Sequence, residues 1–289
     1  MYDYSIIINS STDLTEELKE ELDLVLAPLK FTIEGKEYIN YLDYNSLDVK
    51  EFYKLLRDGK IATTSQLNVS EYIDIIEKEF KKGKDVLILA FSSALSGTYN
   101  SARIAVEAFE DHKQKVYLVD TKAASLGEGL IAYLAGLKRK EGYTIEELYK
   151  YIEDIKLNVA HWFTVDDLMF LKRGGRVGGA SAIIGSLLSI KPVLHVDIEG
   201  RLIPMAKVRG RKKALQSLVD KVSETHDSNL PKDVFISHGD DLEAALTIKE
   251  KIEALNLGLE VKLINYIGPV IGAHSGPGTI AVFFFATQR

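Results

Sequence analysis

Four short segments gather side chains that can hold or move charge. Ala62-Thr63-Thr64-Ser65-Gln66 sets four polar residues in a row just before a helix start that Asn68 is placed to cap, so their donors are spare. Each hydroxyl can give one short charge-assisted hydrogen bond to an anion, and the plain alternative is a solvated loop. Ser92-Ser93-Ala94-Leu95-Ser96-Gly97-Thr98-Tyr99 follows a strongly apolar run and opens a helix. Backbone N–H groups, the helix dipole and nearby hydroxyls make an anion site there, and Gly97 lets a ligand approach the backbone; Ser93 or Ser96 acting only as an N-cap is the simpler account. Leu171-Lys172-Arg173-Gly174-Gly175-Arg176-Val177-Gly178-Gly179 joins cations and glycines to the apolar run from Ala182 to Leu188, a charged mouth beside a greasy wall. Arg176 suits a carboxylate or phosphate, unless it is a solvated arginine beside a Gly-Gly turn.

The fourth segment runs from Gly268 to Gly278 and reads as a loop leading into the apolar strand Ile280 to Phe285. His274, alone among histidines in being set amid glycines, could orient a hydroxyl or move a proton near neutral pH, or be satisfied by backbone in a turn. His112, His161, His195, His226 and His238 share no ligand-like spacing, so no metal site is expected. Arg201, Lys207, Arg209, Arg211, Lys212 and Lys213 form a basic cluster that reads first as a solvated face, with a docking role open.

These segments need elements to hold them. Apolar runs of four to six residues alternate with helical periodicity through the first half, the pattern of a parallel sheet flanked by helices. Ser5 to Ile8, Val86 to Ala90 and Val116 to Val119 are the expected buried strands. Asn68 with Glu71 predicts a capping box for a helix from Val69 to about Lys82, with Tyr72, Ile75, Ile76 and Phe80 on one face. Further helices are expected around Ala102 to Phe109, over Gly127 to Lys140 and over Tyr143 to Ile155. After about Lys156 the pattern changes to the strands His161 to Val165, Ile190 to Val196 and Leu202 to Val208, then two more helix–strand pairs. The fold class is therefore α/β in two domains: residues 1–156, a Rossmann-like parallel sheet with flanking helices that carries the hydroxyl loops, and residues 157–289, an α/β domain with a mixed sheet.

Composition narrows the function. The chain has 289 residues, 46% hydrophobic and 27% charged, so it can bury a sizeable core and carries no long disordered tract. It has no cysteine, which rules out disulfides and thiolate metal sites and fits a cytoplasmic location. Met1 to Asn9 reads as a first strand rather than a signal peptide, and no run reaches the roughly 18 apolar residues of a membrane span. A net charge of −6 argues against nucleic acid as a partner.

Taken in order, Thr63-Thr64-Ser65-Gln66, Ser92 to Tyr99, Gly174-Gly175-Arg176 and Gly272-Ala273-His274-Ser275-Gly276-Pro277-Gly278 resemble the DegV family, over nearly the whole chain. Val119-Asp120 with Ser125-Leu126-Gly127, Ile190-Lys191-Pro192-Val193-Leu194 and Val208-Arg209-Gly210-Arg211-Lys212-Lys213-Ala214-Leu215 support it. The sequence departs at Leu67, where the family usually has Pro, and at Thr121, where Ser is usual. The resemblance implies a two-domain α/β protein that encloses one long-chain fatty acid in its C-terminal domain. It implies no catalysis on this chain and no cofactor besides that ligand. Its partner would be a separate ATP-binding fatty acid kinase, to which the acyl carboxylate is presented for acyl phosphate formation in bacterial phospholipid synthesis. Carried over residue by residue, the carboxylate ligands are Thr64 and Ser96, with Ser65, Gly97, Arg176 and His274 supporting the headgroup. Ile183, Ile184, Leu187 and Leu188 are candidates for the acyl tunnel. No integral membrane association is expected, only transient contact with a membrane surface.

The rival reading is a serine hydrolase or acyltransferase with Ser96 as nucleophile and His274 as base. Against it, the loop lacks a G-x-S-x-G elbow and no acidic residue is obviously placed to orient His274. A nucleotide-dependent enzyme is weaker still, because neither a P-loop nor a G-x-G-x-x-G turn follows any strand.

Overall fold

The computed structural model describes residues 2–176, 190–287 and 289. The chain opens with β1 (Tyr4–Asn9), a 3-10 turn over Ser10–Thr12, and α1 (Glu16–Glu21), then β2 (Leu24–Ala27), β3 (Leu29–Ile33), β4 (Lys36–Asn40), α2 (Val49–Arg57) and β5 (Ala62–Ser65). It continues through α3 (Val69–Phe80), β6 (Asp85–Ala90), α4 (Thr98–Glu107), β7 (Val116–Asp120), α5 (Leu126–Lys140) and α6 (Ile145–Ile155). Beyond a turn over Lys156–Asn158 come β8 (Val159–Thr164), α7 (Met169–Arg173), β9 (Ile190–Val196), β10 (Leu202–Arg209), α8 (Arg211–Thr225), β11 (Asp233–His238), α9 (Leu242–Glu253), β12 (Glu260–Tyr266), α10 (Pro269–Ser275) and β13 (Ile280–Phe285).

The expected parallel sheet is present, in the order β2-β1-β6-β7, with every pairing parallel. The expected mixed sheet has six strands, β10-β9-β8-β13-β11-β12, of which β11 and β12 run parallel and the rest antiparallel. α3 begins as its capping box requires: the Asn68 side chain takes the Glu71 N–H, and the Glu71 carboxylate takes the Asn68 N–H.

Three expectations are corrected. The run Ala62 to Gln66 is not a loop, because Ala62–Ser65 is a strand at the edge of a small antiparallel sheet, β4-β3-β5, with Thr64 opposite Phe31. Two adjacent threonines favour extended backbone, and β3 offers a free edge. The Gly268 to Gly278 segment is likewise not all loop. Pro269 starts α10 at a position that needs no N–H, and Gly276, at φ 79°, ends it in a conformation that a side chain would strain. Finally, three helix–strand pairs follow β10, not two.

α5 ties the two larger sheets together. Leu126, Leu130, Ile131, Leu134 and Ala135 are all buried in one core shared with β1 and β6 on one side and β8 and β13 on the other. A helix apolar on so much of its circumference belongs between layers. Leu67 is buried in the second core cluster, so it gains packing where proline would only stiffen. The Thr121 hydroxyl donates to the Ala90 carbonyl at 2.8 Å, a bond serine could make equally well. Among the described residues no helix is long and apolar enough to cross a membrane.

Candidate functional site

Thr64, Ser65, Ser96, Gly97, Arg176 and His274 all line one cavity. Different elements deliver them. β5 presents Thr64 on the face of its strand opposite to Thr63, as the alternation of a strand demands. Ser96 lies in the loop between β6 and α4, which is pinned by three bonds: the Ser92 N–H to the Ala123 carbonyl at 3.1 Å, the Ser93 N–H to the Asp120 carboxylate at 3.1 Å, and the Ser92 hydroxyl to the Gly200 carbonyl at 3.0 Å. His274 comes from the last turn of α10, and Arg176 follows α7.

Two glycines permit the close approach. A side chain on Gly97 would collide with the carboxamide of Gln66, and one on Gly174 with Nδ1 of His274. A larger residue at either position would force the Gln66 or His274 side chain to move.

The hydrogen-bond accounting shows what the rim offers. Thr64 Oγ1 lies 2.8 Å from His274 Nε2, while His274 Nδ1 has no partner among the described residues. An unpartnered buried acceptor is better tolerated than an orphaned N–H, so the proton belongs on Nε2 and is donated to Thr64. That leaves the Thr64 proton without an acceptor among the described residues. Ser96 Oγ accepts the Thr98 N–H at 3.2 Å and lies 2.9 Å from the buried Thr98 hydroxyl. With Thr98 as donor, the Ser96 proton likewise has no acceptor among the described residues. Burial first, and the charge of Arg176 second, push the His274 imidazole down to about 4, so it is neutral at physiological pH.

Arg176 is fixed by its own bonds, Nε to the Leu95 carbonyl at 2.9 Å and Nη1 to the Gly174 carbonyl. Burial lowers its pKa, but an arginine keeps its proton. It is the one ionised cation lining the cavity among the described residues, and no Asp, Glu or Lys lines it. Behind this rim the cavity is walled by apolar groups such as Phe91, Phe163, Val196, Leu202, Val270 and Phe283.

The structure therefore brings together the six polar and glycine positions named from sequence. Ile183, Ile184, Leu187 and Leu188, named for the acyl tunnel, lie outside the described residues. Sequence reading overlooked Phe163, Ala281 and Phe283 as wall residues. Their signal was the period-two alternation of β8 and β13, which aims Phe163, Ala281 and Phe283 at the cavity and Trp162, Val282 and Phe284 at the opposite core. Among the described residues no group of three or more His, Asp or Glu is placed to hold a metal ion. Ser96 and His274 are each bonded to a threonine, Thr98 and Thr64, so the pairing a serine nucleophile needs is not made.

Fold and cavity are those of an α/β protein built around a largely apolar pocket with a polar rim. The chain belongs to the DegV family, whose model matches residues 3–287. A DegV domain-containing protein of Clostridium perfringens is 43% identical over 293 residues, covering 100% of this chain and 99% of that one. Among solved structures, a fatty-acid-binding DegV family protein of Thermus thermophilus is 31% identical with a TM-score of 0.89, over 99% of this chain and 100% of its own. DegV of Bacillus subtilis, described as a fatty acid binding protein, is 31% identical with a TM-score of 0.85 over the same shares.

Proposed function

We propose that this protein binds one long-chain fatty acid in the cavity and presents its carboxylate to a separate ATP-dependent kinase. The observation that carries the reading is the convergence of two hydroxyls, from Thr64 and Ser96, and one arginine charge on the mouth of a largely apolar cavity. Each buried methylene contributes about 0.8 kcal/mol, so a long chain gains on the order of 10 kcal/mol before the cost of ordering it. Affinity comes from the tail. A carboxylate buried without partners would take up a proton, and the hydroxyls with Arg176 keep it ionised and nucleophilic. In acyl phosphate formation a carboxylate oxygen attacks the terminal phosphorus of ATP, the bond from that phosphorus to ADP breaks, and ADP leaves. The chain supplies the nucleophile's seat, and the nucleotide belongs to the partner.

In this reading residues 1–156 and 157–289 act as two domains in the cytoplasm, the first supplying Thr64 and Ser96 and the second Arg176 and His274. The test has two parts. Native mass spectrometry with lipid extraction should find a stoichiometric long-chain fatty acid. Replacing Thr64 and Ser96 together by Ala should abolish acyl phosphate formation in the presence of the kinase and ATP. Retained activity in the double variant would sink the assignment, and labelling of Ser96 by a fluorophosphonate would restore the hydrolase reading.

A further inference from the structure

The wall of the cavity is not uniformly apolar. Ser125, Ser237 and Ser275 also line it, and none of them is among the groups assigned to the carboxylate. Ser275 is the residue after His274, roughly 100° further around α10. Ser237 on β11 stands opposite Ala281 on β13, two residues beyond Thr279, whose hydroxyl donates to the Ser275 carbonyl at 2.8 Å. Thr279, which lines the same cavity, thus stands between Ser275 and the β11–β13 pair that carries Ser237.

Their hydrogen bonds are incomplete. Ser275 is 6% exposed, yet its hydroxyl has no partner among the described residues. A helical serine ordinarily returns its proton to the carbonyl one turn back, and this one does not. Ser237 is fully buried, and among the described residues its hydroxyl meets only that of Ser125, at 3.1 Å. Ser125 is anchored behind it, 2.6 Å from the Asp13 carboxylate and in a strained backbone conformation at φ 53°. Ser237 thus keeps an unused lone pair whichever way the serine pair points its protons, and Ser275 keeps both a donor and a lone pair. Buried polar groups are normally paired, so the unpartnered Ser275 hydroxyl, on a cavity wall that also carries the spare acceptor of Ser237, calls for a ligand atom.

We propose that Ser237 and Ser275, with Ser125 behind them, form a second polar subsite that takes a hydroxyl group borne on the ligand's hydrocarbon chain. A hydroxyl both donates and accepts, which matches the wall; a keto oxygen only accepts. An unsubstituted acyl chain leaves the same place to a water molecule. The inference rests on the fatty-acid reading and extends it to hydroxylated long-chain acids.

The test compares dissociation constants of stearic acid and a positional series of hydroxystearic acids, for the delipidated wild-type chain and a Ser237→Ala, Ser275→Ala variant. At one hydroxyl position the hydroxylated acid should bind the wild type within a few-fold of stearic acid. In the variant the ratio of the two constants should shift about tenfold against the hydroxylated acid, the size of one lost hydrogen bond. A ratio unchanged by the substitutions at every hydroxyl position overturns the subsite while leaving fatty-acid binding intact. A wild type that binds no acid at all overturns the fatty-acid reading and the subsite with it.

Discussion

Two buried polar clusters lie within this protein, and they treat their hydrogen bonds differently. At the cavity mouth, Thr64 pairs with His274 and Ser96 with Thr98, while His274 Nδ1 has no partner among the described residues. Deeper, Asp13 at the end of the β1 turn is closed upon itself. Its carboxylate takes the Ser125 hydroxyl at 2.6 Å and the Gly268 N–H at 2.9 Å, and its carbonyl takes the Asn265 amide at 2.8 Å. Those partners come from α5's N-terminus, β12 and the start of α10, so the closed cluster joins the first sheet to the second half of the chain. In the proposed reading the open cluster meets its ligand with hydrogen bonds that the closed one spends on the fold.

The largest effect expected from this contrast lies at the open cluster. Replacing Thr64 and Ser96 together by Ala removes two charge-assisted bonds, each worth about 1.5–3 kcal/mol, so affinity for a long-chain fatty acid should fall at least a hundredfold. Stability against denaturant should fall as well, by on the order of 1–3 kcal/mol, because Ala also removes the oxygens that accept from His274 Nε2 and from the Thr98 N–H. Titration of fatty acid and urea melts of the same variant check both halves. Loss of stability without loss of binding would reverse the assignment of the two clusters.

The closed cluster should answer to pH. Burial outweighs the bonds from Ser125 and Gly268 and pushes the Asp13 carboxyl up to about 7 from its ordinary 3.8. The folded state then binds this proton more readily than the unfolded one. Its contribution is full below about pH 4 and is lost as pH rises through about 7. Asp13→Asn keeps the shape and removes the titration. The stability of the wild type minus that of the variant should fall by a few kcal/mol between pH 4 and pH 8, since each tenfold difference in proton affinity between the two states is worth about 1.4 kcal/mol. A flat difference would show that Asp13 is ionised throughout and that its cluster is wetter than its burial indicates.

A smaller effect separates the rim from its support. Gly174→Ala places a methyl group where His274 Nδ1 now lies, with nothing wrong in the backbone itself, since Gly174 has an ordinary helical φ of −72°. The ring must turn, taking its bond from Thr64, and fatty-acid affinity should drop about tenfold, the worth of one hydrogen bond. Gly175, at φ 71° and with nothing near its missing side chain, should give the opposite profile on substitution by Ala: some strain, little change in binding.

Much of this was legible in the sequence because local signals were strong. β9 was bounded by its own alternation at Ile190 and Val196, and α3 by Asn68 and Glu71. The site positions were legible through the order of four motifs, a pattern no single glycine turn would have supplied. What was not legible depended on partners distant in sequence. Thr63 and Thr64 became a strand only because β3 offered an edge, and α10 was hidden by glycines whose tolerance comes from Tyr53 and Phe170 packed beside Gly272 and Gly276. The polar groups of the closed cluster were missed for the same reason. Asp13 and Ser125 are 112 residues apart, and neither carries a mark of burial in its own neighbourhood.

The finest distinction between the clusters concerns one proton on His274. If the open cluster holds its hydroxyls ready for an anion, the imidazole must stay neutral and carry its proton on Nε2, because a proton on Nδ1 would be orphaned and Thr64 would have to spend its own. Burial and the charge of Arg176 hold the group down at about 4, so the imidazole nitrogen and carbon-bound proton signals of His274 should not move between pH 5.5 and pH 8. The nitrogen shifts should report a protonated Nε2 and a bare Nδ1. A titration near 6.5 would mean that the rim meets its ligand with an imidazolium, and the burden placed on Thr64 would pass to His274. A bare Nε2 would mean that Thr64 donates inward, which would leave Ser96 as the single hydroxyl donor at the mouth.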